Sequence, residues 1–203
     1  MCGIVGIIHK SPAPISFEIL SQMAAKIHHR GPDDEDHMID GSIGFFHKRL
    51  SIIDIAQGRQ PMSSGDCTII FNGEIYNYLE LKDQLKMKGV NFETSSDTEV
   101  ILKMYEEHGE DSIKLLNGMF AFLLYDRKRN VLIAARDHFG IKPLYLYEDK
   151  EKFLFGSEIK ALLAHPDLKA EVDQEAMQEY ITFQFLLGDT TLFKGIKKLL
   201  PGH

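Results

Sequence analysis

An α+β fold, with layered and mostly antiparallel sheets covered by helices, is what this 203-residue sequence predicts. Three observations carry that expectation. The chain opens on an apolar run suited to a central strand, its later strand-like runs arrive as hairpins, and its helical stripes arrive in pairs instead of alternating singly with strands.

Taken in order, residues 3–9 form a short continuous run rich in Ile and Val, the pattern of a strand buried on both faces. Ser16 can cap a helix whose stripe, Leu20, Met23, Ala24 and Ile27, has the i, i+3, i+4, i+7 spacing of one helical face, and Gly31-Pro32 stops it. Residues 43–47 and 68–71 read as strands, the second ending in Asn72-Gly73, a dipeptide suited to the positive φ of a tight turn. A helix over about residues 79–88 ends at Gly89. Ser96 and Glu99 have capping-box spacing ahead of Val100, Ile101, Met104 and Tyr105, so a further helix runs to about His108, with Gly109 behind it. Residues 119–125 and 131–136 flank a polar stretch as a hairpin of buried strands, and residues 144–147 and 153–156 repeat the pattern.

Composition excludes several classes of function. Asp plus Glu outnumber Lys plus Arg 30 to 23, for a formal charge of -7, which argues against a nucleic-acid backbone or an anionic membrane surface as partner. The opening apolar run has no basic stretch before it and no small-residue cleavage site after it, so no secretory signal is expected, and no later segment suits a bilayer span. Two cysteines, Cys2 and Cys67, are too few for a disulfide framework and fit a reducing cytoplasm. A bridge between them is conceivable, with nothing in the sequence to support it. Cys67 lies in an apolar run and reads as a packing residue. None of the nine histidines sits at zinc-motif spacing beside cysteine, so no metal site is expected.

Cys2 is the most informative residue. Removal of Met1 would put a thiol and a free α-amino group on one residue, and an α-amine with a reference pKa of about 7.7–8.0 can take the thiol proton directly or through a water. A cysteine at position 2 is incidental in an arbitrary protein. Here it stands at the lip of a buried strand, where the terminus is held.

The opening Met-Cys-Gly-Ile-Val-Gly resembles the class II glutamine amidotransferases, whose nucleophile is an N-terminal cysteine. Further blocks match in order: His29-Arg30-Gly31-Pro32-Asp33, Arg49-Leu50-Ser51-Ile52-Ile53-Asp54, Phe71-Asn72-Gly73-Glu74-Ile75-Tyr76-Asn77 and Ser96-Asp97-Thr98-Glu99. Gly118-Met119-Phe120-Ala121-Phe122, the stretch Arg136-Asp137-His138-Phe139-Gly140-Ile141-Lys142-Pro143-Leu144-Tyr145, and Gly156-Ser157-Glu158-Ile159-Lys160-Ala161-Leu162 are similar to the asparagine synthetase branch of that family, as is the Pro32-Asp33 pair. Each block is modest alone, and together they span almost the whole chain.

The resemblance implies a four-layer αββα sandwich of the N-terminal-nucleophile hydrolase type, a single amidotransferase domain over residues 2–203. It implies L-glutamine as substrate, with Cys2 attacking the side-chain amide. Arg49 then meets the glutamine carboxylate, residues Arg49, Leu50, Ser51, Ile52 and Ile53 line the pocket, and Glu74 and Asp97 accept from the ammonium. Asn72, through its side-chain NH2, and Gly73, through its backbone NH, would form an oxyanion hole. Each position has a plainer reading: a solvated arginine at 49, a solvated carboxylate at 74, helix-dipole complementarity at 97, an ordinary turn at 72–73. Arg30 is treated as support for the pocket. No cofactor is implied for this domain. ATP and Mg belong to a covalently linked synthetase domain that would follow in a longer chain, and the resemblance allows a homodimer. Two alternatives stay open: a different ammonia acceptor, or a silent glutamine-binding or scaffold domain.

Overall fold

The computed structural model describes residues 1–52, 54 and 57–203. Among them the chain forms β1 (Gly3–His9), α1 (Phe17–Ala25), β2 (Asp34–Asp40), β3 (Ile43–Arg49), β4 (Met62–Ser64), β5 (Cys67–Ile75), α2 (Tyr78–Met87), α3 (Asp97–His108), β6 (Gly118–Asp126), β7 (Val131–Arg136), β8 (Tyr145–Glu148), β9 (Lys152–Gly156), α4 (Ile159–Leu162), α5 (Gln174–Phe183) and β10 (Ile196–Lys198). Short 3-10 turns occupy His28–Arg30 and Gly109–Leu115. A six-stranded sheet runs β10-β8-β9-β1-β3-β2 and a four-stranded sheet runs β4-β5-β6-β7. Every pairing is antiparallel.

Strand alternation builds the layers. Successive side chains point to opposite faces, so Ile4 of β1 packs with Phe45, Ile70, Leu123 and Phe155 between the two sheets, while Val5 and Ile7 pack outward with Leu20 and Met23 of α1 and Leu162 of α4. On the other sheet, Ile70, Ala121 and Leu123 face inward, and Ile69, Phe71, Phe120 and Phe122 pack under Leu81 and Leu85 of α2 and Val100 and Leu102 of α3. The result is the four-layer αββα sandwich. β1 is paired on both edges, to β3 and to β9, as its unbroken apolar run predicts.

Several local expectations change. Ser16 caps α1 through Ile19 N, but the helix ends at Ala25; Ile27 is buried in the turn that follows, and Gly31 closes the 3-10 turn instead. Ser96 caps α3 through Thr98 N, yet the capping box is half made. Glu99 accepts from Glu93 N at 2.8 Å and Thr94 N at 2.7 Å, tying down the loop before the helix. β7 is an edge strand and only half-buried, not a fully buried one.

Asn72-Gly73 is not a turn. Both residues lie inside β5, where Gly73 pairs with Phe120, and Gly73 is absent from the residues with positive φ. What requires glycine is close backbone approach: a Cβ at Gly73 would lie 2.2 Å from Met119 O, and one at Gly118 would lie 2.2 Å from Glu74 O. Among the described residues no helix is long and apolar enough to cross a membrane.

Candidate active site

The start of β1 is fastened by three hydrogen bonds from two residues. Ser157 Oγ accepts from Ile4 N at 3.0 Å while Ser157 N donates to Ile4 O at 3.0 Å. Arg30 Nε donates to Cys2 O at 2.9 Å, and Arg30 is itself held by Glu158, 3.1 Å from Nη1. Glu158 also takes His29 Nε2 at 2.8 Å and Lys160 Nζ at 3.0 Å. Cys2 is therefore presented on a rigid lip. Its Sγ receives Leu50 N at 3.4 Å and lies 3.6 Å from Leu50 O. Burial pushes the thiol pKa up, and the Leu50 amide, the terminal ammonium, Arg49 and Lys142 pull against it without cancelling it. The Met1 amine is lowered, by burial first; Arg30 and Lys142 add to that, and Cys2 and Asp33 oppose it.

A cavity of about 260 Å³ opens between the two sheets at this point, and it brings together Cys2, Arg49, Leu50, Ile52, Asn72, Gly73, Glu74 and Asp97. Of the sequence-derived candidates, Ser51 is not in its wall: Ser51 N donates to Asp33 Oδ2 at 2.9 Å, which shapes the loop behind it. Ile53 lies outside the described residues.

Arg49 ends β3 and is 5% exposed, so it is not a solvated surface arginine. Its Nη2 donates to Asp54 O at 2.7 Å. The preceding block explains its placement. Gly31 lies so close to β3 that a Cβ there would be 2.3 Å from Lys48 O, and Asp33 N donates to Arg49 O at 3.0 Å. One short segment thus puts Arg30 on Cys2 and braces Arg49 and Ser51.

Strand alternation turns Asn72 inward beside Ile70, toward the sheet that carries Cys2. It is 1% exposed, and its Nδ2 has no hydrogen-bond partner. An orphaned buried donor costs about 1–3 kcal/mol, which a ligand oxygen would recover. The Gly73 amide is aimed by its neighbours. Phe71 N donates to Gln60 Oε1 at 2.6 Å and Ile75 N to Asp97 Oδ2 at 3.0 Å, both on the free edge of β5 beyond the end of β4. Alternate amides of a strand share a direction, so Gly73 N–H faces that same edge, between those two bonds and onto the cavity.

Asp97 sits in the first turn of α3, 3% exposed. Burial raises its pKa from 3.8 to about 6; the amides of Ile75 and Thr98 oppose the rise and the Glu74 charge adds to it. A raised carboxylate beside a second one is a site that gains from an incoming cation. Gln60, Ser157, Glu158 and Lys142 were not singled out from sequence. Their only signal was membership of matching blocks for the last three, and none for Gln60, which bridges Phe71 N and Thr98 Oγ1. Both cysteines are free, and Cys67 is buried with its thiol pushed up to about 11.

The model of the glutamine amidotransferase domain family matches residues 1–203. The chain belongs to that family. Over 208 residues this amidotransferase domain is 47% identical to glutamine-hydrolyzing asparagine synthetase 1 of Bacillus subtilis (strain 168), covering 100% of the present chain and 33% of that relative. A putative glutamine-hydrolyzing asparagine synthetase 2 of Methanocaldococcus jannaschii is 39% identical over 222 residues, covering 98% of this chain and 42% of its own. An amidase, chyE, of Penicillium rubens is 39% identical over 178 residues, covering 86% and 26%. The chain thus spans about a third of the length of the first of these relatives. Among solved structures, the glutamine phosphoribosylpyrophosphate amidotransferase from B. subtilis superposes with a TM-score of 0.65 at 22% identity, covering 85% of this chain and 45% of that one. That likeness concerns architecture alone: the two share the layered sandwich of antiparallel sheets between helices.

Proposed function

We propose that this domain is the glutaminase half of a glutamine-hydrolysing asparagine synthetase, with Cys2 as nucleophile once Met1 is removed. The observation that carries the proposal is a single cavity lined by both Cys2 and Asn72, the latter with a buried and unpartnered Nδ2, with a buried guanidinium and two carboxylates in the same wall. At about 260 Å³ the space is below the ~300 Å³ at which pockets for drug-sized ligands begin, which suits a small metabolite.

L-glutamine is a zwitterion with an amide at its far end. Arg49 takes its carboxylate, and Asp97 with Glu74 takes its ammonium, which holds the amide carbon against Cys2 Sγ. The thiol proton passes to the Cys2 α-amine, and a carbon–sulfur bond forms as the carbonyl oxygen gains negative charge under Asn72 Nδ2 and Gly73 N–H. The carbon–nitrogen bond then breaks, and the leaving nitrogen takes the proton from the α-ammonium to depart as ammonia. Water hydrolyses the γ-glutamyl thioester to glutamate and returns the thiol. In the whole protein the ammonia reaches a covalently linked, cytoplasmic synthetase domain that uses ATP and Mg to activate aspartate. The 39% identity to a fungal amidase favours one other reading, in which the same glutaminase feeds a different acceptor.

The test pairs intact mass with ammonia release. Material lacking Met1 should hydrolyse glutamine and take up an electrophilic glutamine mimic at Cys2 alone, and Cys2→Ala should release no ammonia while keeping its fold. Hydrolysis that persists in Cys2→Ala, or turnover by material retaining Met1, would overturn the proposal. The product formed by the full-length protein from aspartate separates the two acceptors.

A further inference from the structure

Three lysines of the described chain are buried: Lys48, Lys142 and Lys152, each about 5–6% exposed. Lys48 is paired with Glu35, and Lys152 with Asp167 and Asp149 at 2.8 and 3.2 Å. Lys142 differs from both. It lines the cavity beside Cys2, and among the described residues no hydrogen bond or ion pair ties down its Nζ. The side chain is buried as a whole while its charged end opens on the cavity, and a long, rotamer-rich side chain is held there only where the surrounding structure forces it.

The forcing structure is the loop that follows β7. Asp137, fully buried, gathers four backbone amides on one carboxylate: Phe120 N and Phe139 N at 3.1 Å, Ile141 N and Lys142 N at 3.0 Å. Arg136 closes the loop from outside, donating to Gly140 O at 2.6 Å, Lys142 O at 2.7 Å and Leu199 O at 2.5 Å. This frame sends Phe139, 84% exposed, and Ile141 out to solvent and turns Lys142 in.

The other cations near the sulfur carry hydrogen bonds of their own, although Arg30 Nη2 is buried without a partner. Arg30 holds Cys2 O and Glu158, and Arg49 holds Asp54 O. Among the described residues, Lys142 is the side-chain cation in the cavity wall whose charged end carries no hydrogen bond or ion pair. We propose that Lys142 is a positioning residue for the amide-cleaving step, its loop-held ammonium favouring the thiolate and the unprotonated α-amine of Cys2. The electrostatics agree in direction for the sulfur, since Lys142 acts downward on the Cys2 thiol, and it acts the same way on the Met1 amine one residue earlier. The other charged groups are Arg49 from β3, Glu74 from β5 and Asp97 from α3 in the cavity wall, with Arg30 of the 3-10 turn and Asp33 after it acting from behind, and all stay unchanged in the test.

Lys142→Met removes the charge and keeps the reach, and Lys142→Arg restores the charge. In protein freed of Met1, the pH profile of iodoacetamide alkylation at Cys2, read by peptide mass, should move about one unit alkaline in Lys142→Met. The kcat for ammonia release should fall about tenfold with KM within about twofold, and Lys142→Arg should recover most of both. An unchanged alkylation profile, or a rise in KM alone, overturns the proposal. A second measurement needs no variant: an amine-reactive ester should label Lys142 in the free protein and be blocked once an electrophile occupies Cys2. Equal labelling before and after would overturn it too. The kinetic arm rests on the glutaminase reading, whereas the alkylation arm uses no glutamine and stands or falls by itself.

Discussion

The two sheets meet the cavity in opposite states. The six-stranded sheet delivers Cys2 on a saturated strand: β1 is paired on both edges, and its first carbonyls and amides are taken by Ser157 and Arg30. The four-stranded sheet delivers its residues on an unsaturated edge, where β4 stops at Met62–Ser64 and leaves β5 open from Phe71 onward. Gln60 and Asp97 take the amides on either side of Gly73, and the side-chain amide of Asn72 is left with nothing. The saturated side holds Cys2, the proposed nucleophile, still. On the proposed mechanism, the unsaturated side keeps donors waiting for charge that exists only during reaction, which is the condition for stabilising a transition state more than a ground state.

The largest expected break in this contrast is Asn72→Ala. Removing one pre-aimed donor should lower kcat by about 10²–10³-fold, with KM within about threefold. Because Nδ2 has no partner in the free protein, unfolding stability should change by less than about 1 kcal/mol. Steady-state ammonia release and a denaturant titration read the two numbers. A variant with full kcat and a large loss of stability would make Asn72 a core residue and erase the distinction between the sheets.

That distinction also marks how far the sequence could be read. The saturated half was legible, because β1 is an unbroken apolar run and its boundaries, residues 3–9, follow directly from buried pairing on both edges. The bounds of β7, though not its place on a sheet edge, and the α1 cap at Ser16 were legible from short-range pattern. The unsaturated half was misread locally: Asn72-Gly73 has the chemistry of a turn, and its strand conformation follows from Gly118, forty-odd residues away in sequence, approaching the same backbone. Among the site residues, Cys2, Arg49, Asn72, Gly73, Glu74 and Asp97 were named from matching blocks, and all six line one cavity. Gln60 and Lys142 escaped notice because their roles come from tertiary placement: a side-chain amide completing a strand edge, and a loop that turns one lysine inward. β2, polar and exposed on the sheet edge, carries no apolar alternation to read.

A smaller effect sharpens the comparison through pH. Asp97, raised from 3.8 to about 6 in the free protein, binds its proton more tightly folded than unfolded, so ionising it costs stability as pH rises from about 4 through about 6. A bound ammonium reverses that cost. Glutamine should therefore bind the ionised form, and KM should climb as pH falls below about 6, approaching tenfold per unit. Asp97→Asn should flatten this limb and raise KM at neutral pH. A KM that is flat from neutral to acid in the parent protein would remove Asp97 from the ammonium site and return it to a role in helix capping.

The smallest catalytic effect should come from the saturated side. Ser157→Ala deletes the acceptor for Ile4 N, a fully buried amide, and leaves it without a partner. The cost is about 1–3 kcal/mol of stability, or roughly 2–12 °C in Tm for a chain of this size. Arg30 still holds Cys2 O, so kcat/KM should stay within about threefold at temperatures well below Tm. Thermal unfolding against initial rates separates the outcomes. If activity collapses while Tm is unmoved, the terminal strand is not a rigid mount supported by redundant bonds; Ser157 would then be setting the position of the sulfur itself, and the saturated sheet would be as much a part of the chemistry as the open one.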